Sequence, residues 1–271
     1  MIDLHMHTSR CGHAEGTLEA YVAAARAAGI ATIAFTDHLP LPAEILARDP
    51  HAAEYAMPEE QLDAYVADVL AVRALSAASG GPEVLLGIEA DLHPGNESHV
   101  RRLLERHPLD IVLGSVHFVD GWAFDDPDRR DGYSDWDVRA LWERYFDDLI
   151  AAAQTGLANV IGHADLVKKF GYVPEGDLAP LYERAASAFA AAGVVVEVNT
   201  AGLRKPCAEL YPSAGFLRAL RAADVHVTTG SDAHTPAEVG AGLAEAREAL
   251  LAAGYDRVTI FRNRIGEEIS L

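Results

Sequence analysis

The chain has 271 residues, half of them hydrophobic, with 41 acidic against 22 basic side chains and a formal net charge of −19. That balance argues against a nucleic-acid binder, whose footprint is a basic patch, and no apolar run approaches the roughly 20 residues of a membrane-spanning helix. The two cysteines, Cys11 and Cys207, make no disulfide framework, and the N-terminus shows no signal-peptide pattern, so a cytoplasmic protein is expected.

From the N-terminus, Ile2, Leu4 and Met6 alternate with Asp3, His5 and His7, the period-two pattern of a strand with two different faces. Side chains two apart on a strand point the same way, roughly 6.6 Å apart at the backbone, so His5 and His7 can close on one ion. His13 follows in the next loop, near enough for the same cluster. An isolated H-x-H pair is weak evidence, because a histidine satisfied within a core looks the same. Recurrence of the same ending along the chain is what strengthens it.

Thr17 and Gly29 bound an Ala-rich helix, an N-cap and a C-terminal glycine in their usual places. Residues 32–38 read as a buried strand ending in Thr36-Asp37-His38, and the proline-rich residues 39–57 read as a long irregular loop, a feature often tied to function. A helix over 58–79 is broken by Gly80-Gly81-Pro82. The strand over 84–88 then ends in Glu89-Ala90-Asp91, a helix spans 97–107, and the strand over 111–117 ends in His117. After an acidic, turn-rich stretch at 119–133, Ser134 is expected to cap a helix running to about 154. Residues 159–163 end in His163, helix 175–192 precedes strand 194–198, and Asn199-Thr200 follow. Helix 212–223 leads to strand 225–229, which ends in Ser231-Asp232-Ala233-His234, and helix 236–252 leads to a terminal strand at 258–261.

Seven strand-then-helix units follow one another without a composition break, which favours one domain over 1–271 with a parallel sheet covered by helices. Their similar lengths favour a closed α/β barrel, whose chemistry sits at the C-terminal ends of the strands. The ligand-type residues fall at those ends: His5, His7, His38, Glu89, His117, His163, Asp232 and His234, with His13 from the first loop. Imidazole with carboxylate suits zinc, manganese or iron better than calcium or magnesium. These ligands are too many for one ion, and a shared carboxylate bridges several, an arrangement that polarises a phosphoryl group and activates water. His51, His93, His99, His107 and His226 lie away from strand ends and are read as structural or solvated, and Cys11 as a small packed residue.

The segments D-L-H-M-H-T (3–8), C-G-H (11–13), F-T-D-H (35–38), G-I-E-A-D (87–91), G-S-V-H (114–117), G-H (162–163) and G-S-D-A-H (230–234) together resemble the polymerase-and-histidinol-phosphatase (PHP) superfamily. The stretches E-A-D-L-H-P-G, H-A-D-L-V-K-K-F-G and N-T-A-G-L-R-K resemble its histidinol-phosphate phosphatase branch, and the match runs from Asp3 to about Glu238. The resemblance implies a distorted, TIM-like (β/α)7 barrel with three divalent ions, zinc, iron or manganese. It implies a first ion on His5, His7, Glu89 and Asp232, a second on Glu89, His117 and His163, and a third on His13, His38 and His234. Glu89, Asp232 and His234 are thereby assigned to the reacting centre. Asp37 is a candidate to orient a ligating histidine through its second ring nitrogen.

The implied reaction is metal-assisted hydrolysis of a small phosphate monoester, most specifically histidinol phosphate in histidine biosynthesis, without a covalent phosphoenzyme. Arg204 is the leading candidate for the phosphate because a guanidinium offers it a fork, followed by Lys168. Ser115 also lies near the mouth. Lys169 and Lys205 are neighbouring cations, and Glu44, Asp120 and Asp125 are candidates to read the substrate's cationic end. Competing readings are a phosphatase or phosphodiesterase acting on nucleotides, a metal-stabilised but non-catalytic module, and a zinc amidohydrolase. The last requires a bridging lysine at a strand end, which the sequence lacks. A monomer and a small homo-oligomer suit the composition equally.

Overall fold

The computed structural model describes residues 1–48 and 50–271. Seven parallel strands form its centre: β1 (Ile2–Asp3), β2 (Thr32–Phe35), β3 (Glu83–Asp91), β4 (Ile111–Ser115), β7 (Val160–Ile161), β8 (Val195–Asn199) and β9 (Val227–Gly230). They neighbour one another in that order, all in parallel register. Backbone hydrogen bonds from Leu4 to Thr229 (2.9 Å), Asp232 to His5 (2.8 Å) and His7 to Ala233 (3.0 Å) join the last strand to the first. The sheet thereby closes into the expected (β/α)7 barrel. Every residue of β2 and β4 is buried, as befits strands covered on both faces.

Helices α1 (Leu18–Ala27), α3 (Leu62–Ala78), α4 (Glu97–Leu104), α5 (Val138–Gln154), α6 (Ala179–Ala192), α7 (Ala214–Ala222) and α8 (Leu243–Ala253) form the outer layer, while α2 (Ala43–Arg48) sits in a loop. Each buries the stripe its sequence supplies. On α5 that stripe is Leu141, Trp142, Tyr145, Phe146 and Leu149. Phe146 meets Phe216 of α7 at 5.3 Å between ring centres, and Tyr182 of α6 stacks on Phe216 at 4.9 Å. Burying such a ring contributes about 1.5–3 kcal/mol.

Four helix starts differ from expectation, and one of them, α6, begins at Ala179 rather than at 175. Asp137, not Ser134, caps α5 by accepting from Ala140 N, while Ser134 donates to Asp131 O. Residues 59–61 and 236–238 form separate 3-10 turns. The second is cut off from α8 by Gly240 and Gly242, both at positive φ (73° and 79°), a conformation that a continuing helix excludes.

The terminal strand proves to be a hairpin, β10 (Arg257–Arg262) with β11 (Ile265–Ser270). Its two-residue turn places Asn263 and Arg264 both at positive φ, the mirror-image turn that suits strand twist. Val258, Ile260 and Phe261 are buried, and Arg262 forks onto Glu83 with both contacts at 2.7 Å. Asn263 N donates to Asp110 Oδ1 at 3.1 Å. Glu83 and Asp110 lie at the starts of β3 and β4, so the hairpin covers the N-terminal mouth and leaves the C-terminal mouth for chemistry.

Two long loops fold toward that second mouth. The 39–57 loop carries α2 and the 3-10 turn Pro50–Glu54, and the other carries the small hairpin of β5 (Phe118–Val119) and β6 (Trp122–Ala123). Ile45, Ala52, Phe118 and Ala123 form a satellite cluster apart from the main core, binding the two loops to each other.

Candidate metal centre

Glu89, near the end of β3, is the hub. Its Oε2 lies 3.2 Å from His5 Nε2, 3.5 Å from His7 Nε2 and 3.2 Å from His38 Nδ1. Its Oε1 lies 2.9 Å from His163 Nε2 and 3.6 Å from His117 Nε2, and accepts from Ser115 Oγ at 2.5 Å. Asp232 Oδ1 lies 3.2 Å from His7 Nε2 and 3.8 Å from His5 Nε2. At the rim, His234 Nε2 is 3.0 Å from His13 Nε2. All nine ligand candidates read from the sequence therefore converge at the C-terminal mouth.

The barrel's local backbone makes this possible. Isolated parallel bridges between Met6 and Ala233 and between His38 and Glu89 carry the strand directions past the regular ladders. His163 and Asp232 both sit at positive φ (25° and 53°), a costly conformation for residues with a side chain, kept where the surroundings enforce it.

The donor set fits divalent metal. Two nitrogens each about 2.0–2.1 Å from a tetrahedral ion lie about 3.3 Å apart. The Nε2 atoms of His5 and His7 are 3.1 Å apart. Glu89 Oε2 is buried without a hydrogen-bond partner even though three imidazoles surround it, as a ligand oxygen would be. Ligand atoms within 4.8 Å of one another occur in the sets His5/His7/Asp232, His5/Glu89/His163 and His7/His38/His234. The sulfur of buried Cys11, expected only to pack, makes another such set with His13 and His234.

Charge in the cluster is strongly polarised. Burial alone would raise the Glu89 carboxyl, yet His5, His38 and His117 hold it well below its usual range. Burial likewise opposes charge on His5, but Glu197, Glu89 and Asp232 pull it well above the usual histidine value. His117 is also disfavoured by burial and nevertheless pushed up to about 10 by Asp91 and Glu89. His234 goes the other way, to about 3, through burial and the charge of His7. Asp232, like Glu89, is held well below its usual range, so the cluster keeps two buried carboxylates ionised, charge that a bound cation would compensate.

Carboxylates stand behind three of the rings. Asp37 Oδ1 lies 3.6 Å from His7 Nδ1 and accepts from His38 N at 2.9 Å, and its Oδ2 accepts from Thr8 Oγ1. Asp91 Oδ1 lies 3.0 Å from His117 Nδ1. Glu197 Oε1 lies 2.8 Å from His5 Nδ1. Sequence reading passed over Glu197. The signal was a charged residue inside an otherwise all-valine stretch, Val194 to Val198, where burial demands a partner.

A cavity of about 480 Å³ opens above the cluster, and the expected phosphate contacts stand differently toward its wall. Lys168 does not line it. Its Nζ is buried between Asp165 Oδ2 (3.1 Å), Glu209 Oε2 (3.0 Å) and Leu210 O (2.7 Å), where it neutralises an interior carboxylate. Arg204 is also outside the lining, paired with Glu238 Oε1 at 3.2 Å and donating to Ser231 O at 2.9 Å. Ser115 is spent on Glu89. The cations on the wall are Lys169, paired with Asp125 Oδ2 at 3.0 Å, and Lys205, whose ammonium has no hydrogen-bond or ion-pair partner among the described residues. Of the acids expected to face substrate, Asp125 lines the cavity, whereas Glu44 does not and Asp120 pairs with Arg144 at 3.0 Å.

Comparison with known proteins follows the same lines. The PHP domain family model matches residues 3–201. The chain is 40% identical over 265 residues to a probable histidinol-phosphatase of Deinococcus radiodurans, covering 97% of each. It is 26% identical over 261 residues to the histidinol-phosphatase of Bacillus subtilis, covering 88% of this chain and 95% of the other. The fold matches the crystal structure of a histidinol phosphate phosphatase from Lactococcus lactis, solved with zinc, L-histidinol and phosphate. The TM-score is 0.81 over 98% of both chains, at 19% identity.

Proposed function

The chain belongs to the PHP domain family, and from that premise we propose that it is a histidinol-phosphatase, hydrolysing L-histidinol phosphate to L-histidinol and phosphate. The observation that supports the chemistry best is Glu89, whose two oxygens address separate groups of imidazoles. His5, His7, Glu89 and Asp232 would hold one divalent ion, Glu89, His117 and His163 a second, and His13, His38 and His234 a third. Such ions supply charge neutralisation on phosphoryl oxygens and activate water near neutral pH. Zinc, the ion in the Lactococcus structure, suits this donor set, as do iron and manganese.

The chain's own residues do the rest. Lys205, cationic and unpaired on the cavity wall, takes the phosphate in the role the sequence suggested for Arg204 and Lys168. Lys169 stands beside it, tethered by Asp125. Asp126 and Asp128 also line the cavity, and Asp126 is held by the hydroxyl of Tyr55 across the two loops. They favour a phosphate ester whose far end carries an ammonium and an imidazole. The family match stops at Ala201, but β9 beyond it closes the barrel and the segment after β9 carries Asp232 and His234, so residues 1–271 act as one catalytic domain. No helix among the described residues is long and apolar enough to cross a membrane.

The test is phosphate release from histidinol phosphate against a panel of nucleotide, sugar and nitrophenyl phosphates. A kcat/KM for histidinol phosphate at least tenfold above the panel is expected. Equal or faster turnover of nucleotides would keep the centre and overturn the substrate.

A further inference from the structure

We propose that Glu197 is the positioning residue of the centre, fixing His5 with its proton on Nδ1 and its Nε2 lone pair turned to the ions. This rests on the reading that the histidine cluster holds metal.

The argument is a count of donors. Glu197 is buried on β8, and its Oε2 accepts from His163 N at 2.9 Å and from Asn199 Nδ2 at 3.0 Å. The Asn199 amide is oriented independently, because its Oδ1 accepts from Ala201 N at 2.9 Å, so the group facing Glu197 is the NH2. Both of these partners can only donate. An ionised carboxylate can only accept. The remaining contact, Glu197 Oε1 to His5 Nδ1 at 2.8 Å, is therefore made by an Nδ1–H. In the neutral imidazole, the form that binds metal, an Nδ1–H leaves Nε2 without a proton, and Nε2 is the atom 3.1 Å from His7 Nε2 and 3.2 Å from Glu89 Oε2. Metal-ligating imidazoles are commonly oriented in this way by a carboxylate.

Packing reserves the space for this contact. A Cβ on Gly230 would fall 2.1 Å from Glu197 Oε1 and 2.5 Å from His5 Cβ, so only glycine in β9 lets the pair form. Glu197 also connects β8 to the segment after β7 and, across the seam where the barrel closes, to the start of the chain. Glutamine has the same shape but presents an NH2 to one of three donors. Either the His163 and Asn199 contacts are lost, or His5 shifts its proton to Nε2 and blocks its own ligand atom.

The experiment is nitrogen-15 NMR of the imidazoles in zinc-loaded wild type and Glu197→Gln, with zinc affinity measured by chelator competition. In the wild type, His5 should show a slowly exchanging Nδ1–H and a metal-shifted Nε2. In E197Q that Nδ1–H signal should be lost or shifted with faster exchange, and zinc affinity should fall about 10–100-fold. A wild-type His5 protonated on Nε2, or bound through Nδ1, overturns the proposal even if E197Q fails to fold. Unchanged affinity and an unchanged His5 signal in E197Q overturn it with the metal reading intact, whereas a wild type that takes up no zinc overturns the metal reading itself.

Discussion

Glu89 Oε1 meets His163 Nε2 at 2.9 Å while its other oxygen meets His5 Nε2 at 3.2 Å, so one carboxylate stands between two sets of imidazoles. A group on β3 reaches both the start of the chain and the segment after β7 because the sheet curls, bringing the ends of strands two places apart together. The barrel and the centre are thus one structural fact, and the expected consequences of substitution follow from where each charge sits.

Two lysines separate binding from stability. Lys205→Ala should raise KM for histidinol phosphate about tenfold or more, as loss of a hydrogen bond between charged groups costs about 1.5–3 kcal/mol. Lys168→Ala should leave KM nearly unchanged but destabilise the fold by about 3–5 kcal/mol, because Asp165 is left buried with its charge uncompensated. Steady-state kinetics with denaturant unfolding checks both, and a KM effect confined to Lys168→Ala would reverse the assignment.

The terminal hairpin should show a pH signature. Its Arg262 fork holds the Glu83 carboxyl below its ordinary value of 4.5, chiefly through the hydrogen bonds. A depressed carboxyl stabilises the fold above that ordinary value and loses the contribution as pH falls through its lowered pKa. Arg262→Ala should therefore cost about 0.5–1 kcal/mol at pH 7, a modest figure because both side chains are about 40% exposed and screened. The gap between variant and wild type should close as pH falls below 4.5 and through the lowered pKa. A pH-independent difference would assign the loss to packing.

Removal of metal should separate activity from fold. The extensive apolar core does not depend on the centre, so chelation should abolish turnover and lower Tm while far-UV circular dichroism persists. Ions at 100 times their Kd contribute about 2.7 kcal/mol. Collapse of the dichroism at 25 °C would instead make the ions part of the folding nucleus, as in a metal-stabilised scaffold.

The sequence made the barrel and its nine ligand candidates legible because β-strands ending in His, Asp or Glu recur at the same place in each unit. Glu197 was hidden by the same logic, since it lies inside β8 rather than at its end and looked like part of a valine run. Lys168 and Lys169 are adjacent on a short 3-10 turn, so one faces the interior and its neighbour the cavity, and spacing alone cannot assign which. The second strand of the terminal hairpin escaped because most of it, including Ile265, is exposed, which removes the alternation that marks a half-buried strand. The breaks before α8 came from positive φ at two glycines, a backbone property with no hydrophobic pattern.

The most direct test of the central claim is Glu89→Gln, which keeps the shape of the hub and removes its charge. Metal content per chain and turnover of histidinol phosphate are measured on the same sample, with dichroism to establish folding. The account predicts a folded protein that loses at least one ion relative to wild type and has turnover reduced a thousandfold or more, about 4 kcal/mol in the barrier. A variant with wild-type metal content and wild-type turnover would contradict it.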